Sequence, residues 1–249
     1  MARPVACALL PLALLVASAS VDAKPTKKLD ANVAGFKLYK KGRYKEALRL
    51  FDRARKETPD NPYAWFNWGR VTAILGDKRG DPMTCERTED WRYLALASIQ
   101  RGLEIDREKV RAKILEDEPG LVPLEKTPQF AAWWLAEQAL PKEDAALRAF
   151  LVAHGEWVRM AEMPTTVTLS KDGTFREARV GLEDSPLATG KWTVTGGKLL
   201  LGEISYTLTK RQWAFGEGRH RVSRLALEPT DLARADALEL WPLDGDCGP

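Results

Sequence analysis

Histidine and cysteine are scarce in this chain, two and three residues respectively among 249, and their scarcity excludes several kinds of chemistry. A zinc site needs three or four clustered nitrogen, sulfur or oxygen ligands, whereas His154 and His220 stand far apart without motif context. No HExxH, GxSxG, phosphate-binding loop or dinucleotide fingerprint occurs. Glu116, Asp117 and Glu118 adjoin one another at a helix end, as solvated charge does, and Asp244-Gly245-Asp246 has too few carboxylates for a calcium loop. An enzyme is therefore not expected, and neither is a cofactor or a metal. A large excess of one charge is also lacking: the formal net charge is +3, so bulk electrostatics calls for no nucleic acid.

Long apolar runs are missing too, except for one that spans Val5 to Ala19 in MARPVACALLPLALLVASASVDAK. It is shorter than the roughly 20 residues a bilayer span requires and is broken by Pro11. With Arg3 before it and small residues after it, the segment reads as a secretory signal, cleaved after Ala19 or, preferably, after Ala23. The expectation is a periplasmic or secreted protein, with a signal at residues 1–23 and no membrane span after cleavage. Ser18 to Lys24 holds no cysteine for a lipid anchor. Losing Cys7 leaves Cys85 and Cys247, which an oxidising compartment permits to pair as a disulfide, with two unpaired thiols as the alternative.

Periodicity organises the first half. Gly35 and Gly69 are separated by 34 residues, as are Gly42 and Gly76, and a fixed period of this size signals stacked helical units. Tyr44, Ala47, Leu48, Phe51 and Ala54 form one apolar helical stripe, with alanines where two helices must approach closely. Asn61 and Pro62 carry the signature of a helix start. Ala95, Leu96, Ile99 and Gly102 repeat Ala47, Leu48, Phe51 and Ala54 at a spacing 14 residues longer than the period, so an inserted polar loop is expected near 77–90. Phe130, Trp133 and Trp134, then Leu147, Phe150 and Leu151, suggest two capping helices.

Through Gly35, Leu38, Gly42, Tyr44, Ala47, Phe51, Ala54 and Pro59 the first unit resembles the tetratricopeptide repeat (TPR), and Trp65, Trp68 and Gly69 continue that likeness in the second. The resemblance implies a scaffold whose groove, lined by the first helices of its repeats, binds protein segments, with Asn32, Trp65 and Asn67 as candidate partner-binding residues. Lys41 and Arg49 belong to a basic patch on the first hairpin that suits an anionic partner, or else is a solvated face. The helical domain is expected over 24–154.

After Gly155 the pattern changes to short alternating runs separated by Asp172-Gly173 and Gly196-Gly197, as in antiparallel strands. The Gly155-Glu156-Trp157 and Gly190-Lys191-Trp192 echoes, with Asp172-Gly173-Thr174-Phe175, look similar to lipocalin-like small barrels of bacterial envelope proteins. The fold class expected is α+β: an N-terminal α-helical TPR-like stack followed by an antiparallel β-barrel or sandwich over 155–249. The leading functional expectation is an exported adaptor that binds a protein or peptide of the cell envelope. The alternative is a small-ligand carrier or sensor that uses the β domain.

Overall fold

The computed structural model describes residues 30–79, 90–116, 119–159, 163–182, 184–216, 219–231 and 236–240. Among these residues eight helices come first: α1 (Ala31–Lys40), α2 (Tyr44–Glu57), α3 (Pro62–Arg79), α4 (Trp91–Ile105), α5 (Arg107–Leu115), the single turn α6 (Val122–Glu125), α7 (Pro128–Ala136) and α8 (Asp144–Ala153). The starts of α1, α3, α4 and α7 are set by short polar side chains that accept hydrogen bonds from first-turn amides. Asp30 accepts from Asn32 N at 2.8 Å, Asn61 from Tyr63 N at 3.0 Å, Asp90 from Arg92 N at 2.7 Å and Thr127 from Phe130 N at 3.2 Å.

Of the glycines spaced by 34 residues, Gly35, Gly69 and Gly76 stand where helices cross, whereas Gly42 takes a positive φ in the α1–α2 turn. Gly35 meets the Phe51 ring of α2, and a Cβ added to Gly69 would stand 2.8 Å from both the Ala95 carbonyl oxygen and Ile99 Cγ1 of α4. Alanine gains about 1 kcal/mol of helix propensity over glycine, but the oxygen it would strike is backbone and cannot rotate away. Overpacking of this kind costs about 1–3 kcal/mol, so Gly69→Ala is expected to lower the urea midpoint of unfolding rather than raise it.

The segment expected as a loop near 77–90 is helical at its first end, because α3 continues through Asp77, Lys78 and Arg79. At the other end Asp90 is the buried cap of α4. Both cysteines of the expected disulfide, Cys85 and Cys247, lie outside the described residues, among which there is no disulfide.

Eight strands follow among the described residues: β1 (Glu156–Arg159), β2 (Thr165–Leu169), β3 (Thr174–Arg179), β4 (Pro186–Thr195), β5 (Lys198–Leu201), β6 (Ile204–Phe215), β7 (His220–Pro229) and β8 (Leu238–Glu239). Each pairs antiparallel with the next, and β8 pairs with both β7 and β1, so the sheet closes on itself instead of splitting into two layers. Tight turns set the register. Gly196 and Gly197 take φ of 60° and 72° between the paired Thr195 and Lys198, the left-handed conformation a two-residue hairpin demands. The Asp144 carboxylate at the start of α8 accepts from both glycine amides, at 3.1 and 2.6 Å. Trp157, Val167, Leu169, Trp192, Leu199, Tyr206, Leu225 and Leu238 form one buried cluster of the sheet, joined by Leu147 and Leu151 of α8.

The helices and the sheet share a second core. Among the described residues β8 pairs with Ala226 and Leu227 of β7, and β7 also packs against α4 and α7. A continuous apolar cluster runs from Phe66, Leu96 and Ile99 through Leu121 and Trp133 to Phe215 and Val222. Polar groups inside this seam find one another: Gln100 Oε1 accepts from Trp133 Nε1 at 2.7 Å and from Ser223 Oγ at 3.1 Å. Glu137, 2% exposed, carries an ion pair with Arg107 at 2.7 Å and a hydrogen bond from Lys210.

Candidate functional site

Two concavities draw on residues singled out by the sequence. The first is a groove of about 260 Å³ between α1, α3 and α5, lined by Asn32, Val33, Phe36, Tyr63, Phe66, Asn67, Arg70 and Lys113. Asn32 and Asn67 come together here from adjacent helices, with Asn67 Nδ2 donating to Asn32 Oδ1 at 2.8 Å. That bond uses one acceptor and one donor. Of the remaining groups of the two amides, Asn32 Nδ2 is a donor and Asn67 Oδ1 an acceptor.

Apolar side chains flank this amide pair. Val33 is 46% and Phe36 36% exposed, which is unusual for large apolar groups brought together at a concave surface. Beneath them Arg70, 2% exposed, lays its guanidinium 4.0 Å from the Tyr39 ring centre, 5.2 Å from Phe36 and 5.5 Å from Phe66. Rings with electron-rich faces stabilise a cation that has left water. Lys113, at the rim, is paired with Glu116 at 2.6 Å.

The second concavity, about 320 Å³, lies between α2, α3 and α4 on one side and the β6–β7 turn on the other. Trp65 faces this cleft, not the groove that holds Asn32 and Asn67. Its Nε1 donates to the Pro59 carbonyl at 2.9 Å, and the Ser98 hydroxyl donates to the Trp65 carbonyl at 2.8 Å.

Lys41 and Arg49 line neither concavity. Lys41 is the exposed C-cap of α1, and Arg49 is exposed on α2. Much of the basic patch around them is neutralised along its own helix, by Arg43 with Glu46, Arg53 with Glu57, and Arg55 and Lys56 with Asp52. The groups that sequence reasoning missed are Phe36, Arg70 and Arg219-His220-Arg221. Only the last had a visible signal, three basic-type residues in succession before an apolar strand.

No family model, curated protein or solved structure matches this chain. The resemblances to the tetratricopeptide repeat and to lipocalin-like barrels are therefore withdrawn. The physical reason is visible in the helices. Spacing by 34 residues reports where two helical pairs cross, and any stacked pair of hairpins needs small residues there. A repeat array continues by adding like units, whereas here α4 is followed by the dissimilar α5, α6 and α7, and it packs against β7. In the sheet, glycine–tryptophan pairs mark turns and core positions that many antiparallel sheets share. What remains is a helical N-terminal region followed by an eight-stranded antiparallel sheet.

Proposed function

We propose that this chain is an exported binding module that holds an apolar segment of another cell-envelope protein in the groove between α1, α3 and α5. The observation that carries this reading is the Asn32–Asn67 pair beside exposed Val33 and Phe36. A peptide group presents one N–H and one C=O to its surroundings, and Asn67 Oδ1 with Asn32 Nδ2 offers the matching acceptor and donor. The adjoining apolar surface supplies affinity through burial, about 25 cal/mol per Å² removed from water. Export rests on the signal-like segment at residues 1–23.

The test is a photoreactive residue at Val33 in the protein expressed in its own cells, with matched insertions at Lys41 and Arg49. One envelope protein crosslinked from position 33, absent from positions 41 and 49, and reduced at least tenfold by Asn67→Leu is the expected result. Equal capture from all three positions, or capture indifferent to Asn67→Leu, overturns the reading. N-terminal sequencing of the same product tests the export step, since a retained Met1 contradicts cleavage.

A further inference from the structure

We propose that the cleft between the α2–α4 surface and the β6–β7 turn is a binding site for an oxyanion, a carboxylate or phosphate group borne by a ligand distinct from the groove's partner. Four guanidinium groups converge there from separated parts of the chain: Arg55 of α2, Arg101 of α4, and Arg219 and Arg221 at the β6–β7 turn. Among the described residues Glu104 is the one acidic residue lining the cleft, and it is paired with Arg101 at 2.9 Å, which leaves Arg55, Arg219 and Arg221 in excess. Against a net charge of only +3 over the whole protein, this concentration of cations is local and is brought about by folding, since the contributors lie up to 166 residues apart in sequence.

Arg55 is fixed in place before any ligand arrives. Its guanidinium lies 4.0 Å from the Trp68 ring centre and 4.9 Å from that of Trp65, and one Nη donates to Asp52 at 2.6 Å. Its Nε is buried with no hydrogen-bond partner among the described residues. Burial lowers the Arg55 pKa more than Asp52 restores it, and burial followed by the charges of Arg219 and then Arg55 lowers that of His220. The Arg55 shift expresses its partial burial, and the His220 shift expresses burial beside the positive charges of Arg219 and Arg55. Guanidinium forks match the planar edge of a carboxylate or the face of a phosphate, and an entering anion relieves the repulsion among them. A neutral ligand does neither.

Because the cleft is formed by both the helices and the sheet, an anion there also ties the β6–β7 turn to α2 and α4. This inference does not depend on the Asn32–Asn67 groove, whose residues are not shared with the cleft.

Calorimetric titration of the full chain at low salt with pyrophosphate and, separately, with citrate tests the proposal. One saturable site is expected, and the tighter probe identifies whether phosphate or carboxylate is the better fit. Arg219→Gln with Arg221→Gln should weaken binding at least tenfold. Lys41→Gln with Lys45→Gln removes the same charge outside the cleft and should change it less than twofold. Unchanged urea midpoints in both double variants show that folding is intact. Absence of a saturable site for both probes, or equal weakening in the two double variants, overturns the proposal and leaves only diffuse surface charge.

Discussion

Replacing Trp157 with alanine is expected to cost about 3–5 kcal/mol of unfolding free energy, the largest loss among the substitutions considered. The side chain is fully buried in β1, within the cluster that includes Val167, Leu199, Tyr206 and Leu225. The indole cannot be replaced by relaxation of neighbours held in a closed hydrogen-bonded sheet, so a cavity remains. Urea denaturation should show a lower midpoint with an unchanged slope. The same variant examines the carrier alternative: wild type should bind no apolar fluorescent probe saturably, because the cluster fills the sheet, and Trp157→Ala should gain such a site. Saturable binding already present in the wild type would favour the carrier. A milder pair separates packing from hydrogen bonding. Trp192 Nε1 donates to the Ser170 carbonyl at 3.0 Å, whereas Trp157 Nε1 has no partner among the described residues. Trp192→Phe should therefore lose about 1 kcal/mol more than Trp157→Phe.

Glu137→Leu should destabilise by about 3 kcal/mol, the scale on which breaking a buried ion pair from one side falls. The carboxylate lies at the C-terminal end of α7 with its side chain fully buried; Arg107 and Lys210, its two partners, belong to α5 and β6. Removing it strands Lys210 against the seam. Burial by itself would push this carboxyl up, but the hydrogen bond from Lys210 and the charges of Lys210 and Arg107 outweigh burial and hold it below the usual range. A folded-state pKa below the unfolded one stabilises above the unfolded value, about 4.3 for glutamate, and that contribution vanishes as pH falls through the folded value. The gap in urea midpoint between wild type and Glu137→Leu should thus be widest at neutral pH and shrink below about pH 4. A gap that stayed constant into acid would assign the loss to packing instead of charge.

Local features were legible in the sequence wherever one residue type has one physical use. Asn61 and Pro62 announced the start of α3, Asp172-Gly173 and Gly196-Gly197 announced turns, and the alanine and glycine spacing announced close helix crossings. Asn32 and Asn67, both singled out in the sequence as candidate partner-binding residues, hydrogen-bond to each other across α1 and α3 in one groove, because residues at like positions of two adjacent helices lie close in space. Trp65 was assigned to that groove and faces the other cleft, since a helix offers several faces and the aromatic residue could have belonged to any of them. Arg70 was passed over because a charged residue inside an apolar helical stripe gives no hint of the three rings that surround it, and those rings come from α1 and α3. The shared core of helices and sheet was invisible for a related reason. Strand β7 is buried on both faces from Val222 to Leu227, but its polar Ser223 and Arg224 look solvent-directed until Gln100 and Tyr93 of α4 are placed beside them.

The closing of the sheet has a temporal consequence. Strand β1, at 156–159, waits for β8, at 238–239, before its second edge is paired. Contacts between residues so distant in sequence form slowly, because the entropy of closing the intervening chain is lost before any pairing is gained. The helices are synthesised before β7, against which α4 and α7 pack, and until β8 arrives β1 presents an open edge, the kind of surface through which incomplete sheets associate with one another. Two residues, Leu238 and Glu239, end that exposure. The shortest strand among the described residues is thus the one whose arrival closes the last open edge of the sheet.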